Sequence, residues 1–141
     1  MDCRSAAEAL FATPLSVVLL LAGCSDRLEP PPDSCTPGQE LEVTVSSDPI
    51  PLFTWFPACG LSSLDVWDQN HTSGWVLFTG SRSAENPLRS GIRYGNAPAQ
   101  ALEPEPARRL VSGTSYTVRL YRWNGDASGF HEEVGSATFE R

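Results

Sequence analysis

Lysine is missing from the chain altogether: arginine supplies all 10 cationic side chains against 17 carboxylates, for a net charge of −7. Phosphate contacts need clustered cations, so this balance argues against a nucleic-acid partner. It is equally unsuited to electrostatic binding of anionic lipid, and the acidity reads as an aid to solubility. Histidine is nearly absent too. His71 and His131 are the only two, whereas a zinc site takes three or four ligands. His131-Glu132-Glu133 lacks the helical spacing of a metalloprotease, so both histidines read as solvated surface, with a metal ligand as the alternative. The acids come as close neighbours, Glu103 with Glu105, Glu132 with Glu133 and Asp65 with Asp68. A glycosidase needs two carboxylates facing across a cleft, and neighbours of this kind read as solvated charge. Ser112 and Ser115 flank Gly113 but lack the Gly-x-Ser-x-Gly elbow and the helix that follows it. No glycine-rich phosphate loop, EF-hand run or internal repeat occurs, and Asn70-His71-Thr72 is an isolated glycosylation sequon. The expectation is a non-enzyme with no cofactor and no metal.

What is present starts near the N-terminus. Residues 15–22 form an apolar run, Leu15-Ser16-Val17-Val18-Leu19-Leu20-Leu21-Ala22. It is too short to span a bilayer, which takes about 20 residues, but has the length of a signal-peptide hydrophobic region. Leu21-Ala22-Gly23-Cys24 then resembles the lipobox of bacterial lipoproteins. The resemblance implies cleavage between Gly23 and Cys24 and a diacylglycerol thioether on the Cys24 sulfur. Two or three acyl chains would anchor durably where one would not. The alternative is a chance match in an ordinary leader or a core strand. One departure is the sparse positive charge ahead of the run, where Arg4 is offset by Asp2 and Glu8. Ser25 in place of an inner-membrane-retaining aspartate favours the outer membrane by the same resemblance. The expected division is a signal peptide over 1–23, an acylated cysteine with a proline-rich tether over 24–38, and one domain over 39–141. The expected location is the cell membrane or outer membrane of an exported lipoprotein. Pro30-Pro31-Pro32 suits an extended polyproline II tether at about 3 Å per residue.

Of the four cysteines, Cys3 falls in the leader and Cys24 at the processing site. Cys35 and Cys59 remain, an even pair that in an exported protein reads as a disulfide, with two free buried thiols as the alternative. Such a bridge closes a loop of about 25 residues and would stabilise by roughly 3–4 kcal/mol.

From Glu40 onward the hydrophobic period is two. Strands are expected at 40–46, 53–56, 64–67, 75–79, 92–94, 115–123 and 134–139, with Leu41, Val43 and Val45 on one face of the first. Residues 95–109, with Pro98, Pro104 and Pro106, read as one long irregular stretch, and Asn124-Gly125 as a tight hairpin turn. No window holds an amphipathic helix beyond the leader. Seven short strands predict a single antiparallel β-sandwich or barrel.

Two segments carry a finer resemblance. Leu110-Val111-Ser112-Gly113-Thr114-Ser115-Tyr116-Thr117-Val118 resembles the approach to strand F of fibronectin type III domains, members of the immunoglobulin-like sandwiches. Phe53-Thr54-Trp55-Phe56-Pro57 is similar to strand B of that family, and Leu64-Asp65-Val66 to strand C. The resemblance implies an all-β immunoglobulin-like sandwich of about seven strands. It implies a core holding Trp55, Leu110, Tyr116 and Val118, and a tyrosine corner in which the Tyr116 hydroxyl bonds to upstream backbone. The other tryptophans, Trp67, Trp75 and Trp123, fall out of step with inward residues and are candidate ligand-facing aromatics, or else pack between the sheets or under 95–109. Three functions stay open. One is a membrane-anchored binding or structural module with a protein or glycan partner in the cell envelope. The second is a carbohydrate-binding module using exposed tryptophans, and the third an unrecognised enzyme or inhibitor.

Overall fold

A computed structural model describes residues 33–79, 86–125 and 131–141. Every regular element among the described residues is a strand: β1 Glu42–Val45, β2 Leu52–Phe56, β3 Ser63–Asp68, β4 Ser73–Phe78, β5 Ile92–Arg93, β6 Leu102–Glu105, β7 Ser115–Trp123 and β8 His131–Glu140. They form two antiparallel sheets, β1-β2-β5 and β6-β4-β3-β7-β8. The inward residues of both sheets alternate with outward ones, as the period of two requires. Phe53 and Trp55 from the small sheet meet Leu64, Val66, Trp75, Leu77, Tyr116, Val118 and Leu120 from the large one, all buried. The protein is therefore a β-sandwich.

The sheets are stitched at one edge. Leu41 N–H donates to the Val134 carbonyl at 2.7 Å, so the residue ahead of β1 reaches across to β8. Gly135 makes this possible, because a Cβ there would lie 2.9 Å from Val43 Cγ2 and 3.0 Å from the Leu41 carbonyl.

Three expectations are corrected. The described residues hold eight strands, because β6 lies inside the stretch read as irregular. Its four residues, Leu-Glu-Pro-Glu, are all exposed, so no alternation betrays it. It pairs with β4 through Val76↔Glu105 and Phe78↔Leu102, and it sits at the sheet edge, where Pro104 is tolerated. Second, Asn124-Gly125 is not a two-residue hairpin turn. The β7–β8 ladder ends at Trp123↔His131, so the connection comprises residues 124–130. Third, the domain begins well before residue 39. Cys35 N–H donates to the Gly60 carbonyl at 3.1 Å, Gly60 N–H to the Asp33 carbonyl at 2.8 Å, and Gly38 N–H to Glu132 Oε1 at 3.0 Å. Residues 33–38 belong to the sandwich rather than to a tether, because Cys35 is covalently fixed there. The calls on residues 1–32, including Gly23 and Cys24, lie outside the described residues.

Candidate functional site

The sandwich has two poles, separated by the nine residues of β7, roughly 30 Å at 3.3 Å per residue. The chain enters at the first. The Cys35–Cys59 disulfide, with Cα atoms 4.8 Å apart, ties the entering segment to the β2–β3 connection. Trp55 Nε1–H donates to the Cys59 carbonyl at 2.9 Å, fixing that connection to the core. Arg89 pairs with Asp33 and also donates to the Asn86 carbonyl at 2.7 Å. Gly60 is obligatory beneath them, since a Cβ would meet Asn86 O at 2.1 Å.

Among the described residues of this pole, one serine–histidine pair stands close. Ser62 Oγ and His131 Nδ1 are 2.7 Å apart. Ser62, however, is fully buried and also contacts the Tyr121 carbonyl at 3.1 Å, so this pair is a joint rather than an accessible nucleophile with its base. Burial holds His131 below its ordinary pKa of 6.5. Its ring meets Phe78 edge-on at 5.3 Å. Arg122 is buried on the inner face, its Nη1 3.2 Å from Glu132 Oε2. Its Nε has no hydrogen-bond partner among the described residues.

The tryptophans are placed differently from the sequence expectation. Trp75 is fully buried, edge-on to Tyr94 with centroids 5.2 Å apart, and its Nε1–H donates to Glu103 Oε1 at 2.7 Å. Trp123 is buried as well. Its N–H donates to Asn86 Oδ1 at 2.7 Å, and its carbonyl accepts from Asn86 Nδ2 at 3.3 Å. Both are corrected from ligand-facing to structural, and Trp67 alone of the three is half-exposed. It lies on the outer face of β3 beside Asp65, Arg119 and Tyr121. Burial raises the Asp65 pKa, opposed by Trp67, Tyr121 and Arg119. Burial likewise raises Tyr121. This strip presents one indole beside the Tyr121 ring.

The core assignments at Trp55, Tyr116 and Val118 coincide with buried residues, and Leu110 is half-buried against the core. Val111 N–H donates to the Tyr116 hydroxyl at 2.9 Å, the corner bond expected of that tyrosine. His71 is exposed, in a left-handed turn at φ 58°. Asp68 Oδ1 caps this turn by accepting from the Asn70 and Thr72 N–H groups, each at 2.8 Å. Among the described residues, no three His, Cys, Asp or Glu side chains converge as metal ligands.

The second pole was not anticipated. A cleft of about 320 Å³ there is lined by Ile50, Tyr94, Arg108, Arg109, Leu110 and Arg141. A smaller cavity of about 160 Å³ lies on the other side of the 108–111 segment, against Asp68 and Tyr116. Tyr94 fixes that segment. Its hydroxyl donates to the Arg108 carbonyl at 2.7 Å and also lies 3.0 Å from the Gly74 carbonyl, which in turn accepts the Arg108 N–H at 2.9 Å. Burial pushes the Tyr94 pKa up to about 12. Arg141 donates to the carbonyls of Asp48, at 2.7 Å, and Pro49, at 2.5 Å. Ile50 and Val111 stand exposed beside the arginines, at 53% and 59%. The one sequence signal was the adjacent pair Arg108-Arg109 in a chain without lysine.

Comparison with protein families, with characterised proteins and with solved structures found no match.

Proposed function

We propose that the protein is an exported lipoprotein, held at the cell membrane or outer membrane by an acylated Cys24, whose sandwich is a non-enzymatic binding module of the envelope. The observation that carries this reading is Leu21-Ala22-Gly23-Cys24 directly behind an apolar run and nine residues ahead of Asp33, the first described residue of the sandwich. Two further features support it. The Cys35–Cys59 disulfide fits an oxidising compartment outside the cytosol. The corner bond of Tyr116 and the core position of Trp55 fit a fibronectin type III-like domain, a fold used widely to present loops to partners.

The described chain begins at the pole opposite the arginine-lined cleft. Lipid at Cys24 would hold the Cys35–Cys59 end towards the membrane, and the arginine-lined cleft would point away from it. The nine residue steps from Cys24 to Asp33, if extended, would reach about 28 Å.

The test is the intact mass of the protein purified from its native membrane, with and without Cys24→Ser. A mature chain starting at Cys24, heavier by diacylglycerol or more, is expected. Cys24→Ser should release the protein from the membrane fraction. An uncut leader or a bare thiol at position 24 would overturn the reading.

A further inference from the structure

We propose that the cleft at the second pole binds an acidic protein segment, carboxylates pairing with Arg108 and Arg109 and an apolar side chain resting on Ile50 and Leu110. The proposal rests on the binding-module reading and adds to it the chemistry of the partner.

The argument is one of uncompensated charge. The chain carries −7 overall, yet Arg93, Arg108, Arg109 and Arg141 gather around Ile50, and most of their charge is left unanswered by carboxylates. Arg141 donates to two backbone carbonyls, and Arg93 Nη1 to the Ile50 carbonyl at 3.3 Å. The closest carboxylate contact is Arg108 to Glu105, long at 3.8 Å and between two largely exposed side chains. Such a pair contributes little. Arg109 has no hydrogen bond or ion pair among the described residues. Asp48 accepts from Ser46 Oγ at 3.0 Å and Asp68 caps its own turn, and neither forms an ion pair with these arginines among the described residues.

Guanidinium groups present planar forks that match carboxylates two bonds at a time. The arginines stand over an apolar floor of Ile50, Leu110 and the Tyr94 ring. That combination suits a peptide carrying both acid and apolar side chains. The volume of about 320 Å³ holds one or two side chains, not a large cofactor. A bilayer of anionic lipid is the less fitting occupant, because the whole molecule's charge repels an extended anionic surface while a cleft acts at close range.

The test uses the full chain and fluorescence anisotropy with a labelled peptide of alternating glutamate and leucine, against its glutamine copy. The glutamate peptide should bind at least tenfold more tightly, and salt should weaken it. Arg109→Gln should weaken binding about tenfold, and Arg89→Gln, at the opposite pole, should leave it unchanged. Ile50→Ser should weaken both peptides alike. Equal affinity for the two peptides, or an Arg109→Gln protein that binds as before, would overturn the proposal. So would phosphatidylglycerol vesicles that bind more tightly than the peptide with the same dependence on Arg109, since lipid would then be the ligand. Cys24→Ser should bind the peptide like the parent chain, so a failure of anchoring and a failure of this site are read from separate measurements.

Discussion

Tyr116 joins two roles in one side chain: its ring stacks on Phe139 at 5.6 Å, and its hydroxyl accepts the Val111 N–H. Tyr116→Phe keeps the ring and strips one acceptor from a backbone donor. The expected cost is about 1–2 kcal/mol by denaturant unfolding, and a cost near zero would mean that water replaces the hydroxyl. Arg122 is the opposite case, a buried cation relying on Glu132. Removing the carboxylate strands the charge, so Glu132→Ala should cost about 2–3 kcal/mol, while Arg122→Met should be close to neutral. The reverse order in a melting series would show that Arg122 is already solvated. Tyr94 bears on alkaline stability. Its phenol ionises near pH 10 when unfolded and about 12 when folded. The folded state thus keeps a proton that the unfolded state gives up. Its contribution is full below pH 10 and is lost as pH rises towards 12. Tyr94→Phe should flatten that part of the stability curve, measured by unfolding at pH 9, 10 and 11. Trp55 and Tyr116 were legible in the sequence because local motif and strand period agree on them. Trp75 and Trp123 were not. A register shift between Val66 and Trp67 puts Gly74 and Trp75 both inside. At Trp123, β3 has already ended at Ser63↔Tyr121 and the side chain of Asn86 takes over as the backbone partner. Neither event has a local sequence signature.

At the scale of the elements, seven of the eight strands could be read because each has an apolar face to bury. β6 could not, since it is exposed along its whole length and is held only by its pairing with β4. The domain edge was misplaced for a related reason. Residues 33–38 are polar and proline-bearing, and only long-range bonds fold them onto the sandwich. The disulfide is the principal one. Replacing both cysteines, Cys35→Ser with Cys59→Ser, should lower stability by about 3 kcal/mol. It should also expose the amides of Cys35 and Gly60 to hydrogen exchange, while the β3–β7 ladder stays protected. Rapid exchange throughout would mean that the bridge supports the whole fold and not this edge alone.

For the molecule as a whole, the anchor proposed at Cys24 would decide which end faces a membrane, through the point where the described chain enters the sandwich. The entry point at Cys35 and the cleft around Arg109 are separated by the length of β7, roughly 30 Å. A domain joined to a surface through one end can tilt, but its near end stays closer to the attachment on average in every allowed tilt. The prediction needs no fixed orientation, only the anchor proposed at Cys24. Ala58 and Ser112 are both exposed and lie at opposite poles. A donor dye attached through Ala58→Cys should transfer energy to acceptor-labelled lipid more efficiently than one attached through Ser112→Cys, in the protein reconstituted through its native anchor. Equal transfer from the two positions would mean that the sandwich lies flat on the bilayer, and the arginine pole would then face lipid as readily as a protein partner. Greater transfer from Ala58 leaves the cleft directed outward, where an acidic segment in the envelope can reach it.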